Sequence, residues 1–324
     1  MKAFVSGGSG FVGRNLIEYL KRKKCSVHAL VRSDEAADTV KELGATPVHG
    51  DLDDLAAMTK AMKGCAAVYH AAAKVELWGD SAEFHRINVH GTENILACAR
   101  DAGVETFVHV GTEAVLVGGA PIINVDETRE LPEHPLGLYP LTKGLAEKAV
   151  LGANSKKLRT IVVRPRFVWG KGDTSVLRQF VNAVNTSKFV WFNGGRYLTS
   201  TCHVTNLCEG IWLATENGKG GEVYFLTDGK PQEFRTFITR MLRTQNVEPP
   251  TLSIPRPVAL GIAAGCEFAW ERFALKGTPP LTRCMLKLMG EEVTVNDAKA
   301  RRELSYASRV SVDQGLSAMS MSLT

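Results

Sequence analysis

Over residues 1–110, short apolar runs alternate with longer segments in which apolar positions recur every three or four residues. Residues 2–6, 26–31, 46–49, 66–70 and 106–110 have the length and content of buried strands, and the stretches between them carry helical spacing. The first helical stretch is the clearest, with Phe11, Val12, Leu16, Ile17 and Leu20 on one face. Ser33 is placed to cap a helix through Leu43, and residues 83–102 read as one long amphipathic helix. Regular alternation of this kind predicts an α/β fold, a doubly wound parallel sheet with right-handed crossovers and ligands at the carboxyl ends of its strands. Past Pro165 the alternation weakens to helical patterns at 176–185, 204–215 and 234–245 and a strand at 222–227. The expected organisation is a nucleotide-binding domain over residues 1–165, then residues 166–324 as mainly a smaller C-terminal substrate-binding lobe, with some segments returning to the sheet.

Composition narrows the class. The 324 residues are 44% hydrophobic and 23% charged, and the net charge of +5 is not gathered into a basic run, so nucleic acid is not an expected partner. No apolar stretch reaches the roughly 20 residues of a spanning helix, which leaves peripheral membrane contact and a homodimer open. Seven scattered cysteines without C-x-x-C spacing or paired histidines read as reduced thiols, with no metal site. The chain enters a core strand without a charged-then-apolar leader, so a cytoplasmic location is expected.

The turn after the first strand carries the first chemistry. Its glycines fit Gly7-x-x-Gly10-x-x-Gly13 or Gly8-x-Gly10-x-x-Gly13, and both registers end on the same two positions. A strand must turn tightly into a helix whose free N–H groups and positive dipole end face a pyrophosphate, and glycines permit the close approach. This predicts a Rossmann-type dinucleotide site. Where an acid would bind the ribose 2′-hydroxyl of NAD, the second strand ends in Val31 and Arg32, which favours NADP(H). Asp34 or Glu35 could still serve as that acid, so NAD(H) stays open. Asp51 and Leu52 leave the third strand, placed to touch adenine by hydrogen bond and packing, or Asp51 caps the next helix. Ala71, Ala72 and Ala73 give a small-residue strand end suited to close ligand approach.

Thr112 follows the fifth strand, and the turn-rich segment 118–137 after it is too long for a simple connection. A helix then opens with Tyr139 and Lys143, four apart and so on one face. Tyr19 and Lys23 repeat the spacing, but at the far end of the first helix, where a surface position is expected.

In this order, Gly7-x-x-Gly10-x-x-Gly13, Ala71-Ala72-Ala73, Thr112, Tyr139-x-x-x-Lys143 and Arg164-Pro-Arg-Phe-Val-Trp-Gly170 resemble the extended short-chain dehydrogenase/reductase family. The second half is most similar to its 3β-hydroxysteroid dehydrogenase and dihydroflavonol reductase-like branch, through the run from Tyr139 to Ala149, His203-Val-Thr-Asn-Leu207, Pro279-Pro-Leu-Thr-Arg283 and Lys299-Ala-Arg-Arg-Glu-Leu-Ser-Tyr306. The resemblance implies that Tyr139 is the acid/base, its phenol lowered by Lys143 and the cofactor. Lys143 would also hold the nicotinamide ribose. Thr112, where the family usually has serine, would donate to the substrate oxygen, and Pro165 and Val168 would line the nicotinamide. A small-molecule substrate follows, a bulky secondary alcohol or ketone.

A nucleotide-sugar epimerase or dehydratase with retained NAD would reuse the same tyrosine and lysine, and a non-catalytic NADP-binding regulator would need neither. Trp169, Trp191, Trp212 and Trp270 are either pocket wall or core. Residues 255–276 carry apolar positions on more than one face yet include Glu267, Glu271 and Arg272, so they fit core, pocket wall or a membrane-surface contact; as pocket wall they would present Phe268 and Trp270.

Overall fold

The computed structural model describes residues 1–320. Strands β1 (Lys2–Ser6), β2 (Ser26–Val31), β3 (Thr46–His49), β4 (Ala67–His70) and β5 (Thr106–Val110) join two later strands, Arg159–Pro165 and Glu222–Leu226, in a seven-stranded sheet. Its order is β3-β2-β1-β4-β5, then 159–165, then 222–226, and every pairing is parallel. The order reverses direction between β1 and β4, which opens a crevice at their carboxyl ends. The middle of β1, Ala3-Phe4-Val5, and the start of β4, Ala67-Val68-Tyr69, are apolar and fully buried, as central parallel strands require.

Helices α1 (Phe11–Arg22), α2 (Asp34–Glu42) and α3 (Leu55–Met62) make the first crossovers. Ser33 caps α2 as expected, its hydroxyl accepting from the Ala36 N–H at 3.2 Å. Asp51 does not cap α3; Asp54 does, accepting from Ala57 N–H at 3.0 Å. The helix expected over 83–102 runs as Ser81–Phe84, a widened π segment His85–His90, and Gly91–Asp101. That widening carries Asn88, whose side-chain amide donates to the Lys74 carbonyl and to Thr142 Oγ1, both at 3.0 Å. The helix is thereby tied to the loop after β4 and to the later helix Leu138–Gly152.

The 118–137 segment contains a strand, Ile122–Val125, paired in a second sheet of order 232–233, 198–199, 293–295, 122–125. Helix Val204–Asn217 packs against α1 and the main sheet. Trp169 and Trp191 are core residues, 0% and 1% exposed, beside Phe234 and Phe237. Helix Arg256–Phe273 buries Ala259 and Ala263 against Phe192, Leu281 and Leu286, and turns Val258, Ile262 and Phe268 outward. Among the described residues no helix is long and apolar enough to cross a membrane, and no cluster of side chains is suited to a metal ion.

Candidate active site

The glycine turn has the shape a dinucleotide needs. Gly7 sits at φ +72°, and a Cβ there would come within 2.7 Å of the Ala72 nitrogen. Gly13 allows less still, because its Cβ would stand 2.0 Å from the Gly7 carbonyl oxygen. Gly10 is different: only the Gly7 oxygen, at 3.4 Å, would meet a Cβ, so it faces open space. As N-cap of α1 it offers no side-chain acceptor to the first-turn N–H groups, those of Phe11 and Val12 included. Ala71 and Ala72 back this turn through their N–H groups, which donate to the Ser6 carbonyl at 3.2 Å and to Ser6 Oγ at 3.4 Å. Ala73 follows them, partly buried, at the crevice edge.

Arg32 is exposed directly after β2 and has no ion pair among the described residues. Asp51 accepts from the Leu52 N–H at 2.7 Å and lies 3.5 Å from Arg86. Leu52 is only 4% exposed and packs against Gly91, so most of its side chain serves the core. Pro165 ends its sheet strand, buried, and Val168, half-buried, begins a two-residue strand paired with Cys202–His203.

Thr112, Tyr139 and Lys143 converge beyond the carboxyl end of β5. The Lys143 ammonium donates to the Val110 carbonyl at 2.9 Å and stands 3.1 Å from His109 Nε2. Burial pushes this amine down to about 8, with Glu147 opposing. The Tyr139 phenol, expected to be lowered, is instead raised: burial pushes it above its ordinary value near 10 and the Glu113 carboxylate adds to the push. The Lys143 charge, turned toward His109, is spent elsewhere. Thr112 is within hydrogen-bond reach of the phenol.

Sequence reasoning missed the charges behind this trio. Arg166 Nη1 donates to Glu113 Oε1 at 2.8 Å, and Arg164 Nε donates to Glu147 Oε2 at 2.8 Å; all four residues are buried. Both arginines lie in the 164–170 motif and Glu147 in the 139–149 motif, so charged residues inside apolar motifs were the available signal. The His203–Leu207 motif has a structural part. His203 Nδ1 accepts from Thr205 N–H at 3.2 Å, and Asn206 Nδ2 donates to Asp228 at 2.7 Å and to the Val310 carbonyl at 2.8 Å. Tyr306 of the closing motif donates to the Thr227 carbonyl at 2.8 Å.

A cavity of about 440 Å³ opens beside the start of the Tyr139 helix, lined among others by Leu77, Trp78, Leu138, Leu141, Glu271 and Cys284. Tyr139 shares a hydrophobic cluster with Leu77 and Cys284 at this wall. The 256–273 helix reaches the cavity through Glu267 and Glu271, not through Phe268, which is 64% exposed. Trp270 is partly buried outside the lining. Of the second tyrosine–lysine pair, Lys23 is exposed as expected, but Tyr19 is 6% exposed and donates to Glu209 at 2.6 Å. It remains at the opposite end of α1 from the glycine turn.

Fold and motif order define an NAD(P)-dependent oxidoreductase of the extended short-chain dehydrogenase/reductase type. The chain belongs to the 3-beta hydroxysteroid dehydrogenase/isomerase family, which matches residues 4–256. It is 50% identical over 98% of its length, and 96% of the relative's, to a 4-hydroxy-2-methyl-3-oxo-4-farnesyl-3,4-dihydroquinoline-1-oxide ketoreductase of Stigmatella aurantiaca. It is 35% identical to a decarboxylating sterol-4-alpha-carboxylate 3-dehydrogenase of Dictyostelium discoideum, over 97% of this chain and 98% of that one. Among solved structures it resembles gox2253, with TM-score 0.79 and 27% identity, covering 99% of this chain and 98% of that one.

Proposed function

We propose that the protein interconverts a ketone and a secondary alcohol on a bulky, largely apolar substrate with NADP(H), using Tyr139 as acid/base. The observation that carries this reading is the convergence of Thr112, Tyr139 and Lys143 beyond β5, with Tyr139 in one hydrophobic cluster with Leu77 and Cys284, which line the neighbouring cavity of about 440 Å³, a volume ordinary for a small-molecule site. When bound, the nicotinamide supplies or takes up the hydride. The chain's part is the proton: Tyr139 gives its phenolic proton to the oxygen of the carbonyl being reduced, or takes it from the alcohol being oxidised. A phenol raised by burial is protonated at neutral pH, the state that reduction requires.

In this reading the N–H groups about Gly7, Gly10, Phe11, Val12 and Gly13 cradle the pyrophosphate. Arg32 reads the 2′-phosphate, Asp51 the adenine, Lys143 the nicotinamide ribose after leaving His109, and Pro165 and Val168 the nicotinamide face. Residues 166–320 contribute mainly to the substrate lobe. Support for an apolar ketone comes from the Stigmatella relative, named for a farnesylated ketone substrate, and from Leu77, Trp78, Leu138 and Leu141 in the lining.

A panel of steroid 3-ketones, farnesylated quinolones, small ketones and nucleotide sugars, followed by NADPH absorbance, tests the proposal. Turnover of the bulky apolar ketones, lost in Tyr139→Phe while NADPH still binds, is the expected result. Turnover of nucleotide sugars alone overturns it.

A further inference from the structure

Beside the glycine turn stands a cation without a counter-charge. Arg14 follows Gly13 directly, and its backbone N–H donates to the Gly10 carbonyl at 2.9 Å, one turn further along α1. Positions four apart share a helix face, and helical side chains lean back toward the N-terminus. Arg14 is thereby directed along the face of Gly10, the glycine whose Cβ would meet only the Gly7 oxygen, at 3.4 Å.

The guanidinium is held from the other side by a later part of the chain. Its Nη2 donates to the Gly172 carbonyl at 3.2 Å, so the start of α1 is tied to the loop that follows the short strand Val168–Trp169. That loop is braced by its own acid. Asp173, 8% exposed, accepts from the Ser175 N–H at 2.7 Å, from Ser175 Oγ at 2.6 Å and from the Leu177 N–H at 3.1 Å. Its carboxylate is spent on those bonds and does not answer Arg14.

A guanidinium has five N–H donors, and Gly172 takes one of them. Among the described residues no carboxylate pairs with Arg14, and Lys171, exposed beside Gly172, has none either. The first turn of α1 contains no acid. A positive side chain near a helix N-terminus is disfavoured by the macrodipole, and a bound anion reverses that sign.

We propose that Arg14 is a cofactor-binding residue: anchored on Gly172, it gives its free N–H donors to the pyrophosphate and adds a side-chain contact to the backbone cradle. This rests on the reading of the glycine turn as the pyrophosphate site, and it is independent of the choice between NADP(H) and NAD(H). The same side chain then ties the loop after Val168 to the nucleotide.

Arg14→Met keeps the aliphatic stem and removes the charge. Fluorescence titration should show NADPH and NADH weakened alike, by at least about fivefold, whereas adenosine, measured by its competition with NADPH, should bind as it does to wild type. The equal loss separates Arg14 from Arg32, whose contact is confined to NADPH. NADH affinity should also fall less steeply with salt in the variant, because one cation has left the phosphates. A smaller loss overturns the proposal and leaves Arg14 as a brace for the 170–175 loop. A loss shared by adenosine, or an unchanged salt dependence, overturns it too, since the turn itself has then moved.

Wild type supplies a second measurement should the variant not fold. Phenylglyoxal modification of Arg14, followed by mass spectrometry of its peptide, should slow at least about fivefold under saturating NADH and keep its rate under adenosine; equal rates with and without NADH overturn the proposal. Gly10→Ala is the separate arm. If that variant binds NADH as wild type does, the reading of the glycine turn fails and Arg14 falls with it; if it loses NADH, the Arg14 measurements judge the arginine alone.

Discussion

The Lys143 ammonium stands 3.1 Å from His109 Nε2, beneath the carboxyl end of β5, with the Val110 carbonyl as its second acceptor. An amine in that position is desolvated, and burial outweighs the attraction of Glu147, leaving its pKa at about 8 against an ordinary 10.5. Between those two values the unfolded chain holds the proton and the folded chain does not, so nucleotide-free stability rises with pH from about 8 to 10.5 and is lost as pH falls through 8. Lys143→Met should remove that slope and be the more stable chain at pH 7, by up to about 3 kcal/mol, while losing turnover. Thermal unfolding of both at pH 7 and pH 10 checks it; a stability difference that does not narrow with pH counts against a desolvated lysine.

The acid side follows from two imidazoles. His70 is held between Ser6 Oγ at 2.7 Å and Thr92 Oγ1 at 2.9 Å, and burial, with Lys143 nearby, brings it down to about 3. Burial likewise lowers His109 well below its ordinary value. Both groups are neutral in the fold, so their stability is present above pH 6.5 and drains as pH falls below it, for His70 down to about 3. His70→Gln should be less stable than wild type at pH 7 yet lose less on going to pH 4, where wild type gives up about 3 kcal/mol at this residue. Urea midpoints at the two pH values decide it.

The parts of this protein that were legible in sequence are those with local causes. Each of β1 to β5 announces itself within four to six residues, and the glycine turn by the backbone that it requires. The second sheet is different, because Ile122–Val125 pairs with residues some 170 positions later through strands of two to four residues, too short to carry a period. The Glu113–Arg166 pair joins residues 53 apart, and Tyr19 finds Glu209 at a separation of 190. Lysines at 21, 23 and 24 make Tyr19 look exposed. With Asp51, Asp53 and Asp54 within four residues, local sequence could not say which caps α3. Lys74–Asp80 has no periodicity to mark Trp78, and its place after a strand's carboxyl end is the one local signal.

Two glycines of the same turn should fail in different ways. Ala at position 13 would drive its Cβ to 2.0 Å from the Gly7 oxygen, so Gly13→Ala must open the turn and should cost more than about 3 kcal/mol. Gly10→Ala meets only one atom, at 3.4 Å, from a φ of −76° that alanine accepts. It should keep its stability within about 1 kcal/mol and lose at least tenfold in NADPH affinity, because the methyl group enters the space assigned to the pyrophosphate. Unfolding and nucleotide titration on both variants separate the two effects, and a Gly10→Ala chain that binds NADPH normally would falsify the assignment of this turn.

Arg32 carries the cofactor preference. It is exposed and without an ion pair among the described residues, so a 2′-phosphate would gain a charge-assisted contact of about 1.5–3 kcal/mol, roughly 10- to 100-fold in affinity over NADH. Arg32→Asp should reverse the order by repelling that phosphate and accepting from the 2′-hydroxyl. Fluorescence titration with both nucleotides measures it, and wild type that binds NADH as tightly as NADPH removes the argument for NADP.

The cavity identifies the side chains that should set substrate size. Trp78 lies on its wall with Leu138 and Leu141, whereas Phe268, on the outward face of the 256–273 helix, is 64% exposed. A tryptophan that covers about 100 Å² of apolar ligand surface contributes about 2.5 kcal/mol at 25 cal/mol per Å², so Trp78→Ala should raise KM for a steroid 3-ketone by more than tenfold. A small ketone, which cannot reach from the Tyr139 oxygen to that wall, should lose less than threefold, and NADPH affinity should not change because the glycine turn is untouched. Phe268→Ala should leave all three quantities within a factor of two. Reversed sensitivities, with Phe268 costly and Trp78 silent, would mean that substrate lies against the outer face of the helix and that the cavity beside Tyr139 is not its site.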